Sequence, residues 1–253
     1  MNSHMPQINM VTDAQVQEYV ENNIGDFHNK RVDRLNGLQL DKLLRRKNPY
    51  LFRAKAIATA QDLIQPMLDA HLSSQEETMF GDFLEGLARH VCGLARDGRV
   101  SGIEGVDLEF DEDNKRYIVS LKSGPNWGNS SQIRQMRADF RRATQILRQS
   151  NSGLHVQAVN GCCYGRTTRY YDRGDYWKLS GQKFWELITD DAAFYTRIIE
   201  PLAHRSKERN DEFMKSYGKV INRFVAEFIG KFADANFGID WGSLVEFNSK
   251  NDS

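Results

Sequence analysis

The sequence predicts an α/β or α+β domain in which a small sheet is enclosed by many helices. Three observations predict it. Long stretches repeat apolar residues at helical spacing. Residues 105–122, GVDLEFDEDNKRYIVSLK, switch to strict alternation, as a strand hairpin does. At 253 residues, 40% hydrophobic and 27% charged, the chain can build a sizeable core without disulfide or metal staples.

The elements follow in order. MNSHM, residues 1–5, reads as a cloning scar and carries no fold information. Residues 12–45 predict one or two polar helices, which sets 1–47 apart as an N-terminal helical segment from a main domain over 48–253. Asn48-Pro49 predicts a helix start, with a helical pattern to His71 that Pro66 kinks or splits. Ser73 with Glu76 and Ser74 with Glu77 have capping-box spacing and predict a fresh helix start. Phe80, Phe83, Leu84, Leu87, Val91 and Leu94 then form one apolar stripe that ends near Asp97-Gly98. After the hairpin, residues 130–149 predict an amphipathic helix with Ile133, Met136, Phe140, Ala143 and Leu147 inward. A turn at 151–153, a strand at 154–160 and a polar, aromatic loop at 161–174 follow. The remainder from about 181 is mostly helical, including a long polar segment at 205–233.

Composition excludes several classes. Lys and Arg number 34, Asp and Glu also 34, so any nucleic-acid surface must be local rather than global. Cys92, Cys162 and Cys163 lack both disulfide-framework and zinc spacing, which predicts buried, reduced thiols and a cytoplasmic setting. No apolar run approaches the roughly 18 residues of a membrane span, and no signal peptide opens the chain. Neither GxSxG nor GxxxxGK[ST] occurs.

With Asp113 and Asn114 as the central turn residues, paired positions in the hairpin sum to 227. Val106 then faces Leu121, Leu108 faces Val119 and Phe110 faces Tyr117, an apolar face that specifies the register. The other face pairs Asp107 with Ser120, Glu109 with Ile118 and Asp111 with Arg116. Lys122 lies diagonally from Asp107, within reach of its stem. An acid, a hydroxyl and a lysine thus converge at one end. A carboxylate there can hold Mg²⁺ while an ammonium offsets charge developing on phosphorus, the chemistry of phosphodiester hydrolysis. The same residues equally fit an ordinary Asp–Lys salt bridge on an exposed sheet face.

Three neighbours extend the site. Glu85 lies beside the apolar stripe of the preceding helix, where it can reach a metal or simply flank the helix. The segment from Ser123 to Gln132 is rich in glycine and amides and opens a helix, so its N–H groups can meet phosphate or serve a plain connection capped by Asn129 or Ser130. Arg134, Arg141 and Arg148 recur every seven residues, with Arg137 and Arg142 nearby and Asp139 alone opposing them. That is a phosphate-tracking row or a solvated face.

GVDLEF…YIVSLKSGPNWGNSSQ resembles the active-site region of the PD-(D/E)xK nuclease superfamily, and more closely type II restriction endonucleases of the PmeII-like group. The likeness runs through FGDFLE (80–85), AVNGCCYG (158–165) and GQKFWELI (181–188), covering about residues 48–250. It implies a restriction-endonuclease-like core with a small central mixed sheet, and a Mg²⁺-dependent enzyme of a restriction-modification system. The enzyme would cut double-stranded DNA at a short sequence, normally as a homodimer, without an organic cofactor. By the same resemblance Asp107 is the metal-binding aspartate, Lys122 the catalytic lysine, and Glu85 the helix-borne acid. Leu121 offers a carbonyl ligand, and Gln132 matches a glutamine after the lysine. Ser120 departs from the usual Asp or Glu, so Glu85, Glu104 or Glu109, in that order, must replace the carboxylate; Val106 stands where a proline is usual. Base and phosphate contacts are expected from Asn126, Trp127, Asn129, Ser130, Arg134, Arg137, Arg141, Arg166, Arg169 and Arg173. The alternatives are a catalytically silent DNA-binding protein of the same fold, or a nuclease acting on methylated or structured DNA.

Overall fold

A computed structural model describes residues 9–251, and MNSHM lies outside them. The chain begins with α1 (Asp13–Asn36), then the short α2 (Leu40–Leu44) and α3 (Pro49–Ala54). Asn48 caps α3 by accepting from the N–H groups of Tyr50 and Leu51, with Pro49 in the first turn. The predicted run to His71 is broken here, because Ala56 takes a left-handed φ of 55°.

A new start follows at α4 (Ala60–Arg96), where Thr59 accepts from the Asp62 N–H at 3.0 Å and donates back to its carboxylate at 2.7 Å. The sequence pointed instead to Ser73 and Ser74, which lie inside α4. The Ser74 carbonyl there accepts from the Thr78 hydroxyl. The capping spacing is overridden because the buried stripe is continuous, from Leu63, Ile64, Met67 and Leu68 through Leu72 to Met79, Phe83 and Leu87. Pro66 also stays inside the helix. Its cost of about 3 kcal/mol is offset by buried neighbours contributing about 1.5–3 kcal/mol each.

The sheet has four strands in the order β1 (Leu108–Glu112), β2 (Lys115–Lys122), β3 (His155–Cys162) and β4 (Trp177–Ser180). The β1–β2 pair is antiparallel with Leu108 opposite Val119 and Phe110 opposite Tyr117, the register read from the sequence. Asp113 and Asn114 take φ of 50° and 61°, as a two-residue hairpin turn demands. β2–β3 and β3–β4 are parallel, so the sheet is mixed. Strand β3 extends into the segment expected to be a loop, and β4, four residues long, has no strand-length pattern of its own.

Between β2 and β3 runs α5 (Ser130–Ser150), the crossover helix that a parallel pair needs. Its Met136, Phe140 and Ala143 pack with Ile118, Ala158 and Tyr176. This corrects the picture of an exposed second face: Ile118, Ser120 and Glu109 are buried. Ile133, expected inward, is 36% exposed. Beyond β4 come α6 (Gln182–Thr189), α7 (Phe194–Arg197), α8 (Ile199–Leu202), α9 (Ser206–Phe232) and α10 (Trp241–Ser249).

The chain divides into two compact units. One, comprising the stretch up to Ile24 and Phe80–His204, contains the whole sheet. The other, Gly25–Met79 with the stretch from Arg205 onward, is all helical and has its own core of Leu35, Leu43, Ile64, Leu68, Phe224 and Phe228.

Candidate active site

The chemistry-bearing residues meet at the carboxyl end of β2. Asp107 immediately precedes β1, and its N–H donates to the carbonyl of Val119 at 2.9 Å; Val119 already pairs with Leu108, so the register expected to set Asp107 opposite Ser120 is not kept. Its Oδ2 accepts from the Leu121 N–H at 2.7 Å. The Lys122 Nζ donates to the Leu121 carbonyl at 2.6 Å. One peptide unit pair thus holds the acid on its N–H side and the lysine on its carbonyl side, while the Leu121 side chain is fully buried in the core. Among the described residues Asp107 and Lys122 form no ion pair with each other, so the ordinary salt bridge is not what unites them.

Helix α4 supplies Glu85. The helix approaches closely because Gly81, one turn earlier, has no side chain; a Cβ there would stand 2.8 Å from that of Ser123. Burial pushes the Glu85 carboxyl above the usual carboxylate range, against the pull of the Lys122 ammonium and with the help of Asp107. Arg89, one turn on, lies 3.7 Å from its Oε2. The other two candidate acids are engaged elsewhere. Glu104 is highly exposed and pairs with Arg142, and Glu109 pairs with Arg99 at 2.8 Å.

Ser120 is buried on β2, and its carbonyl accepts from Asn160 Nδ2 at 3.3 Å. Gln132 accepts from the Asn129 N–H at 2.8 Å while Asn129 accepts from Ser131 and Gln132, a complete capping box. The start of α5 therefore satisfies three of its N–H groups internally, those of Asn129, Ser131 and Gln132. The Trp127 indole N–H donates to Asn160 Oδ1. Asn126, Ser130, Arg134, Arg137, Arg141, Arg166, Arg169 and Arg173 are exposed. The arginine row is more paired than its sequence suggested: Asp175 accepts from Arg137 at 2.8 Å and lies 3.9 Å from Arg141, and Arg142 reaches Glu104 as well as Asp139. Arg169 lies over the Tyr170 ring.

Sequence reasoning passed over Asn160 and Lys178. Register places Ser120, Asn160 and Lys178 side by side on β2, β3 and β4. No short-range signal marks this row, since parallel neighbours are set by the crossover. All three cysteines are free and buried, and burial pushes the Cys92 thiol up to about 12. Among the described residues no helix is long and apolar enough to cross a membrane, and no three His, Cys, Asp or Glu side chains cluster as a metal site.

A small mixed four-stranded sheet in a largely helical chain is an α+β, restriction-endonuclease-like fold. The chain belongs to the type II restriction endonuclease EcoO109I family, whose model matches residues 14–210. It is accordingly a DNA-cleaving hydrolase, a type II site-specific nuclease that binds double-stranded DNA. A search of curated proteins found no match.

Proposed function

We propose that this nuclease cuts double-stranded DNA with Mg²⁺ as part of a restriction-modification system, through a PD-(D/E)xK-type site, as the PmeII-like resemblance suggests. The observation that carries the reading is the Leu121 peptide held between Asp107 and Lys122, with the half-buried Glu85 beside them. The donor set suits Mg²⁺: carboxylates of Asp107 and Glu85 and the Leu121 carbonyl are hard oxygen donors, and this ion keeps several waters rather than needing a full protein cage. Bound there, the cation would polarise a phosphoryl oxygen and promote deprotonation of a water.

The chain's own residues do the rest. Lys122 holds a positive charge where negative charge develops on phosphorus as water adds and the P–O ester bond breaks. Ser120 contributes its backbone and leaves the second carboxylate to Glu85. Gln132 holds the start of α5, and with it the loop that follows Lys122. Exposed Asn126, Asn129, Ser130, Arg134, Arg137, Arg141, Arg166 and Arg169 are the proposed contacts to bases and phosphates. A symmetric homodimer would give each strand its own site.

The test is digestion of plasmid DNA with Mg²⁺ and mapping of the fragment ends. Discrete fragments that vanish in Asp107→Ala and Lys122→Ala, with DNA binding retained, are expected. Wild-type cleavage by either variant overturns the site assignment. Cleavage confined to methylated or branched substrates would instead mark a nuclease for modified or structured DNA.

A further inference from the structure

We infer that Asn160 and Lys178 are positioning residues that lock the 123–129 loop so that the Trp127 ring walls in the Lys122 ammonium. The inference rests on the reading of Lys122 as the catalytic lysine.

The loop is held at two points by the two strands beyond β2. Lys178 Nζ donates to the Pro125 carbonyl at 2.7 Å. Two residues on, the Trp127 indole N–H donates to Asn160 Oδ1 at 3.0 Å. Asn160 is 1% exposed, and a buried amide needs partners; its Nδ2 completes the set by donating to the Ser120 carbonyl. β3 therefore ties the loop to the backbone of the strand that carries Lys122. The outcome is that the Trp127 ring centroid lies 5.2 Å from Lys122 Nζ, inside the range of a cation–π contact.

A lysine has four rotatable bonds, and an open one would sample many positions before DNA arrives. Here the ammonium is confined between the Leu121 carbonyl and an indole face. Such pre-positioning speeds the chemical step, and a displacement of about 1 Å can cost about 10²-fold in rate. Trp127 thereby acquires a role distinct from reading bases, since its one polar group is bonded inside the protein.

Two measurements test this on the full-length chain. In the first, lysines are ¹³C-dimethylated and the Lys122 methyl resonance is assigned by its loss in Lys122→Arg. Without DNA or metal, it should be displaced upfield by the indole ring current, and the displacement should vanish in Trp127→Leu and shrink in Lys178→Met. A Lys122 resonance in the wild type indistinguishable from that in Trp127→Leu overturns the inference. In the second, Lys178→Met should lower kcat by about 10²-fold with KM unchanged, and Lys178→Arg should restore it. A raised KM with kcat intact would make the loop a DNA reader and overturn the positioning role. The resonance is read without catalysis, so a failure of the Lys122 assignment itself, seen as cleavage by Lys122→Ala, is distinguishable from a failure of the packing.

Discussion

The two ends of the β1–β2 hairpin carry similar residues arranged to opposite ends. At the turn end, charges are cancelled in pairs: Asp111 holds Arg116 bidentately at 2.8 and 2.7 Å, and Arg96, almost fully buried, binds Glu112 and Asp190. At the open end, Asp107 and Lys122 do not meet; each is held by a backbone group of Leu121. A paired charge is costly to strand by removing its partner, whereas charges kept apart by the backbone remain available to a substrate. The comparison teaches that charge type and spacing do not distinguish structure from chemistry; the partner of each charge does.

Four substitutions would break or sharpen this contrast. The largest effect is expected at the open end. Lys122→Ala should lower cleavage by about 10²–10³-fold or more while leaving the melting temperature nearly unchanged, checked by digestion and calorimetry together. At the turn end the pattern should reverse. Arg96→Ala should cost about 2–3 kcal/mol of stability, because it strands Glu112 at a half-buried site, and should leave cleavage by the folded protein intact. Denaturant titration measures it.

Glu85 links the two behaviours. Its carboxyl is raised in the folded chain, so the fold binds the proton more tightly than the unfolded chain does. The ionised group is then a stability burden above that raised pKa, and the burden is relieved as pH falls through it. Glu85→Gln should therefore raise the melting temperature at neutral pH while reducing cleavage strongly. It should also remove the acid limb that Glu85 imposes on the activity profile of the wild type. A lower melting temperature in this variant would contradict the burial argument.

The smallest effect belongs to Arg116→Ala, about 0.2–1 kcal/mol, since Asp111 is half exposed and water screens the pair. Hydrogen bonding from Arg116 holds Asp111 below the usual carboxylate range. The contribution is therefore present above the ordinary carboxylate pKa and lost as pH falls through the lowered one. Urea midpoints at neutral and strongly acidic pH should differ in the wild type by more than in the variant.

Much of the hairpin end was legible in the sequence because hairpins are local. Asp113-Asn114 fixes the turn, and alternation then sorts Leu108, Phe110, Tyr117 and Val119 onto one face without knowledge of the rest of the chain. The α5 start was legible for the same reason: Asn129 or Ser130 was expected as a local cap, and Asn129 supplies it. The pairing of β2 with β3, and the existence of β4, depend on crossovers whose length hides the partner. That is why Asn160 and Lys178 escaped notice, and why the polar face was read as open although α5 covers it. Helix α4 failed differently: serines with a glutamate three residues on satisfy a local rule, but a continuous buried stripe outweighs a cap.

Leu121 has one more consequence. Its side chain belongs to the core and its peptide to the site, so the residue serves two masters through different atoms. Position 121 should therefore accept apolar side chains of similar bulk without altering what the proposed site offers DNA. A change of volume there, though chemically bland, would tilt both the acid and the lysine at once.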